Sequence, residues 1–159
     1  MSDVTIRRAR AEDADEIVDL WKGFVSFLSP EDPRYDARPG AYDKWREYFL
    51  KRMVDSAHAA LFVAEDSQDG LVGVIECRIM GGHPVFKVSK HGQLFGHFVR
   101  EGHRAKGIGA QLIEAAETWF REQDLPYYRI NVLAFLPEVK RAYEEQGMTQ
   151  AEWVMEKEL

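Results

Sequence analysis

Apolar and polar positions divide the chain into strand-like and helix-like stretches. Val4 and Ile6 alternate with polar neighbours, which predicts a first strand from about Asp3 to Ala9. Asp13 with Glu16 three residues on is an N-cap arrangement, and Ile17, Leu20, Trp21, Phe24 and Leu28 then share one helical face as a core stripe. Ser29 to Arg38 reads as a loop from its Pro and Asp content. Pro39 suits the first turn of a second helix bearing Tyr42, Trp45, Phe49 and Met53.

The spacing then becomes that of strands. Ala60 to Ala64 is a buried strand, Asp69-Gly70 a hairpin turn and Leu71 to Met80 a longer strand, ended by Gly81-Gly82-His83-Pro84. Val85 to Val88 fits strand and loop equally. Gln93 to Val99 is rich in β-formers, with Gly96 marking a bulge. Helical periodicity returns from Ile108 to about Gln123 through Leu112, Ala116, Trp119 and Phe120. A strand over Tyr127 to Leu133 follows, then a short helix opened by Pro137 and ended before Gly147. Ala151, Trp153 and Met155 alternate with Glu152, Val154 and Glu156, which predicts a closing strand whose edge is a candidate homodimer contact. The order of elements predicts an α/β (α+β) fold with a mixed sheet, in a single layered domain over residues 1–159.

A chain of 159 residues can bury a core without staples, and its 45% hydrophobic and 30% charged residues are those of an ordinary soluble globular protein. Its one cysteine, Cys77, excludes an internal disulfide and suits a reducing cytoplasm; no Cys/His cluster has zinc spacing, so no metal is expected. His58, His83 and His103 lack ligand spacing too. Cys77 has no motif around it and reads as a small core hydrophobe rather than an acyl carrier. The N-terminal stretch is too charged for a signal peptide, and no apolar run approaches the roughly 18 residues of a membrane span. A net charge of −6 argues against a nucleic-acid partner and is compatible with a cationic amine.

The chemistry concentrates between Val99 and Leu112, where an apolar run meets Arg104-Ala105-Lys106-Gly107-Ile108-Gly109 and then a helix. Arg-x-x-Gly-x-Gly at a helix start exposes successive backbone N–H groups, and the missing Cβ atoms allow close approach. A diphosphate fits there, with Arg104 and Lys106 beside it. The nucleoside-triphosphate loop is excluded because no Lys-Ser or Lys-Thr follows, and a dinucleotide loop would need a third glycine.

These residues resemble the central motif of the GNAT superfamily of acyl-CoA-dependent N-acetyltransferases: Arg or Gln, two residues, Gly, one residue, then Gly or Ala. Val99 matches the strand-ending Val before it, and the downstream strand, the helix with Tyr143 and the Gly147-Met148 turn follow in the family's order. The resemblance implies a mostly antiparallel twisted sheet flanked by about four helices, with acetyl-CoA as co-substrate. Main-chain groups around Phe98 and Val99 would pair with the pantetheine arm, and N–H groups from Arg104 through Ala105, Lys106, Gly107, Ile108 and Gly109 to Ala110 would hold the pyrophosphate. Tyr143 matches the family's donor to the leaving thiolate. With a phenol pKa of about 10 against about 8.5 for a thiol, full proton transfer is uphill by roughly 2 kcal/mol, so a hydrogen bond to the developing thiolate is the main expectation.

The base is less legible. The position where some relatives carry Glu is Gln93, which cannot accept a proton. Glu76, His91 and His97 remain; Glu76, mid-strand among apolar residues, is the candidate, and His97 reads as a core histidine. Leu136 stands where relatives usually have an Asn, so a polar cofactor contact is lost. Phe27, Tyr35, Gln93 and Asn131 are the candidate acceptor contacts. The expected function is acetyl transfer to a primary amine of a small molecule. A peptide amine acetyltransferase and a non-catalytic acyl-CoA sensor are the alternatives.

Overall fold

A computed structural model describes residues 3–159. Five strands form one sheet in the order β1 (Val4–Arg8), β2 (Ala59–Asp66), β3 (Gly70–Gly81), β4 (Lys90–Val99) and β5 (Tyr128–Ile130). The first four pair antiparallel and β5 joins β4 in parallel, so the sheet is mixed and mostly antiparallel, as expected. Four α-helices cover it: α1 (Ala14–Leu28), α2 (Ala41–Tyr48), α3 (Ile108–Glu122) and α4 (Pro137–Glu145).

Each face of the sheet has its own core. On one, Ile75, Cys77 and Leu94 meet Ile108, Leu112, Ala116 and Phe120 of α3 and Tyr143 of α4. On the other, Leu61, Val63, Val74 and Phe98 meet Ile17 and Leu20 of α1 together with Phe49 and Met53. Burying a side chain such as Leu112 or Ile17 contributes about 1.5–3 kcal/mol, so both faces contribute to the fold.

Several local expectations are corrected. Asp13 does not cap α1 with its side chain; its carboxylate turns back to Arg7, at 2.7 and 2.8 Å, and to the Arg10 N–H at 2.7 Å. Two arginine bonds outcompete a single cap bond. Glu16 reaches across to accept from the Leu71 N–H at 2.9 Å. The second helix starts at Ala41 behind a left-handed Gly40 rather than at Pro39, and it widens into a π turn over Phe49–Met53. Its α part buries no residue, whereas Phe49 and Met53 are almost inaccessible. Residues 85–88 form no strand, and β5 stops at Ile130 instead of reaching Leu133.

The predicted closing strand is absent. Residues 149–159 carry no regular structure, and Trp153, Val154 and Met155 are 83%, 72% and 87% exposed. Three consecutive apolar residues give alternation no single buried face. The segment is held by ion pairs instead, Glu152 with Arg129 and Glu156 with Arg34. The strand-edge argument for a homodimer therefore loses its strand. No helix among the described residues is long and apolar enough to cross a membrane.

Candidate active site

The turn after β4 is built by backbone conformation. Arg104 is extended, Ala105 and Gly107 are left-handed at φ 60° and 80°, and α3 begins at Ile108 with no side chain capping it. The first-turn N–H groups of Ile108, Gly109 and Ala110 have no acceptor inside the helix and lie at its positive end, the arrangement that binds an anion. Space at Gly107 is open, with only the Gln111 amide 4.0 Å from where a Cβ would stand. Lys106 is exposed in the same turn. The Arg104 guanidinium does not join it: the side chain folds back to donate to the Val99 carbonyl at 2.8 Å and stacks over Phe27 and Phe98, at 5.1 and 5.4 Å. The guanidinium thus points towards Val99 and Phe27 rather than towards the helix terminus.

Strands β4 and β5 part early. They pair only from Gly92 to Leu94, against Tyr128 to Ile130, although β4 runs on to Val99. Beyond Leu94 the backbone of β4 on that side lacks a strand partner, which leaves an opening lined by main-chain groups. A bulge lies at the same point: Val74 pairs with Phe98 and Glu76 with Phe95, so Gly96 and His97 together oppose Ile75. Gly96 has φ 54°, and a Cβ there would stand 2.3 Å from the Trp21 ring, so only glycine fits. The extra residue turns His97 to the face of α3 and α4, where its Nδ1 lies 2.7 Å from the Tyr143 hydroxyl. Its Nε2 is buried against Gly109 without a hydrogen-bond partner. Burial lowers the His97 pKa to about 4 and raises that of Tyr143.

On the opposite face, Glu76 is 2% exposed and paired with Arg78. Arg78 stacks between Tyr48 and Phe95, at 5.5 and 5.1 Å. Burial raises the Glu76 pKa, and the charge of Arg78 opposes that rise. Gln93, opposite Arg78 in register, donates to the Asn131 side-chain oxygen at 3.2 Å. Beside these residues a cleft of about 410 Å³ is walled by Trp21, Tyr42, Trp45 and Tyr48 and rimmed by Asp36, Arg38 and Lys44. The Trp21 ring that walls the cleft packs on Gly96 at the bulge.

The profile of the acetyltransferase (GNAT) family matches residues 17–148. The chain belongs to this family. It is thus an acetyl-CoA-dependent N-acetyltransferase, and the uncapped terminus of α3 and the parted strands suit the diphosphate and pantetheine of that co-substrate. Among solved structures, the aminoglycoside N-acetyltransferase AAC(6')-Iy in complex with CoA superimposes with a TM-score of 0.79 at 19% identity, covering 100% of this chain and 96% of that one. Glucosamine-6-phosphate N-acetyltransferase from Arabidopsis thaliana gives 0.73 at 15%, covering 98% of each chain. Ribosomal-protein-alanine N-acetyltransferase from Brucella melitensis biovar Abortus 2308 gives 0.71 at 24%, covering 99% of each. A search of curated protein sequences found no match.

The GNAT frame separates what the sequence brought together from what it missed. Glu76, Gln93 and Asn131 share the cleft face, with Phe27 nearby under Arg104. Tyr35 instead packs edge-on against Phe135, 6.2 Å away, in the loop after β5. His91 stacks on Tyr127 at 5.6 Å near the far end of β4. Leu136 occupies the N-cap position of α4 with its side chain buried, so an apolar plug replaces the expected amide. Arg78 was missed, although its place two residues after Glu76 puts it on the same strand face. The pairing of His97 with Tyr143 was missed because strict alternation sets His97 beside Gln93 and Phe95.

Proposed function

We propose that this acetyltransferase moves the acetyl group of acetyl-CoA to the primary amine of a small molecule by direct attack. The observation that supports the reading is the cleft: at about 410 Å³ it is in the range of small-molecule sites, and its wall residue Tyr48 stacks on Arg78, the partner of Glu76. In this reading, backbone groups at Phe98 and Val99 and the turn from Arg104 to Ala110 hold the co-substrate. Phe27, Tyr35, Gln93 and Asn131 bound the acceptor side.

A neutral amine is the nucleophile, so a proton must leave the ammonium before attack. Glu76 is assigned that role: burial raises its pKa towards that of an effective base, while Arg78 favours the ionised form. Tyr143 donates a hydrogen bond to the leaving sulfur. The step balances with the ammonium and the thioester giving the amide, the free thiol and one proton: the nitrogen loses two protons, which pass to solvent through Glu76, and the departing thiolate takes one up from solvent.

Thiol release from acetyl-CoA with a panel of small amines and an N-terminal peptide tests the reading. A small amine is expected to give the highest kcat/KM, and preference for the peptide would overturn it. Tyr143→Phe keeps the ring and removes the hydroxyl. Its kcat on the best amine should fall by about 10² with acetyl-CoA affinity unchanged; equal turnover would remove Tyr143 from the chemistry.

A further inference from the structure

The buried pair formed by His97 and Tyr143 has no structural necessity. A phenylalanine at 143 and a leucine at 97 would fill the same apolar space without burying polar atoms, and a buried polar group left unpaired costs about 1–3 kcal/mol. The molecule buries both at the end of the β4–β5 opening, and the bulge at Gly96 is what brings His97 round to Tyr143. The only other polar atom of the ring, Nε2, lies against the Gly109 backbone, so the bond to Tyr143 is the one side-chain hydrogen bond that the ring makes.

We propose that His97 is the positioning residue of Tyr143. Its Nδ1 holds the phenolic oxygen in place and, as charge develops on the leaving sulfur, donates its N–H to that oxygen, which leaves the phenol O–H free to donate to sulfur. This rests on the transferase reading above. The ring stays neutral throughout: the Nδ1–H donates to the phenolic oxygen, the Tyr143 O–H keeps its proton and donates it as a hydrogen bond to the developing thiolate, and the departed thiolate takes its proton from solvent. A neutral donor suits the task, because burial makes the phenol a weaker acid than usual and a hydrogen bond received at its oxygen makes its O–H a better donor. Tyr143 is the titratable group facing the ring, from α4. Its contacts from α3 and β3 are the Gly109 backbone and the bulge opposite Ile75.

The test compares His97→Leu, His97→Asn, Tyr143→Phe and the double variant His97→Leu/Tyr143→Phe. His97→Leu is expected to lower kcat 10- to 100-fold with the acetyl-CoA KM within about twofold. His97→Asn, whose amide N–H can stand near the Nδ1 position, should recover at least part of the loss. In the Tyr143→Phe background, His97→Leu should cost little more, because both act through one hydroxyl. An unchanged kcat in His97→Leu, or losses that multiply in the double variant, would overturn the proposal. A readout without turnover is the nitrogen NMR signature of His97: Tyr143→Phe should shift Nδ1 more than Nε2, and addition of CoA should alter the Nδ1 signal in wild type only. No shift on Tyr143→Phe overturns the pairing. If wild type releases no thiol with any amine, the transferase reading fails and the catalytic role with it, whereas the NMR comparison still decides whether the hydrogen bond exists.

Discussion

The two faces of the sheet do different work with different materials. Towards α3 the site is made of main chain: a helix terminus, a turn with two left-handed residues and a strand that has lost its neighbour. Towards α1 and α2 it is made of side chains drawn from distant parts of the chain, with Trp21, Trp45, Tyr48, Glu76, Arg78, Gln93 and Asn131 meeting across more than a hundred residues. In the proposed reading, backbone geometry holds the group that stays the same, the diphosphate and amides of the co-substrate. In the same reading side chains recognise the acceptor, which the fold by itself does not specify.

The sharpest way to break this contrast is Gly109→Val. A branched side chain at a first-turn position, where an added Cβ would stand 3.4 Å from His97, should crowd both the diphosphate and the ring. We expect acetyl-CoA affinity by calorimetry to fall by roughly 100-fold, about 2.7 kcal/mol, in a variant that still melts cooperatively. An unchanged affinity would move the anion site elsewhere.

The buried titratable groups of the two faces should leave opposite marks on stability. His97 is held near 4 against an ordinary 6.5, so the unfolded chain takes up its proton first on acidification, and stability is lost as the pH falls through that window by up to about 1.4 kcal/mol per unit. Glu76 is shifted upwards, so its contribution is present below the ordinary 4.5 and is lost as the pH rises through its folded value. Urea unfolding between pH 4.5 and 6.5 should show His97→Leu flattening the loss on acidification and Glu76→Gln steepening it. Identical slopes in both variants would mean that neither group titrates as its burial dictates.

Smaller effects sharpen the boundary. Tyr35→Ala removes the contact with Phe135 and, if Tyr35 bounds the acceptor as proposed, should raise the acceptor KM by roughly 3- to 10-fold, about 1 kcal/mol, while acetyl-CoA affinity stays constant. The reverse pattern would assign Tyr35 to the cofactor half. Ala105→Gly relieves a left-handed alanine and should raise stability in thermal or urea unfolding by about 0.5–1 kcal/mol without altering the turn. A loss of stability would show that the alanine methyl contributes more than its conformation costs.

Local patterns carried most of the architecture. The stripe Ile17, Leu20, Trp21 and Phe24, the Asp69-Gly70 hairpin, the bulge at Gly96 and the Gly107 turn all depend on neighbours within a few residues, and each is present. Where a local signal met a competing distant partner, it lost. Asp13 gave up its cap to Arg7, and Ala151 to Met155 kept the alternation of a strand without a neighbour to pair with. The same distinction runs through the site. The sequence by itself determined the glycine turn that opens α3, since glycines at a helix start expose N–H groups whatever surrounds them, and it singled out Tyr143 by its place in the helix that follows β5. Only the tertiary structure decided that Arg104 turns towards α1, that Arg78 covers Glu76 and that His97 faces Tyr143. A one-residue bulge reverses the direction of a strand side chain, and an ion pair forms where two chain segments meet; neither is encoded in the spacing of the residues that depend on it.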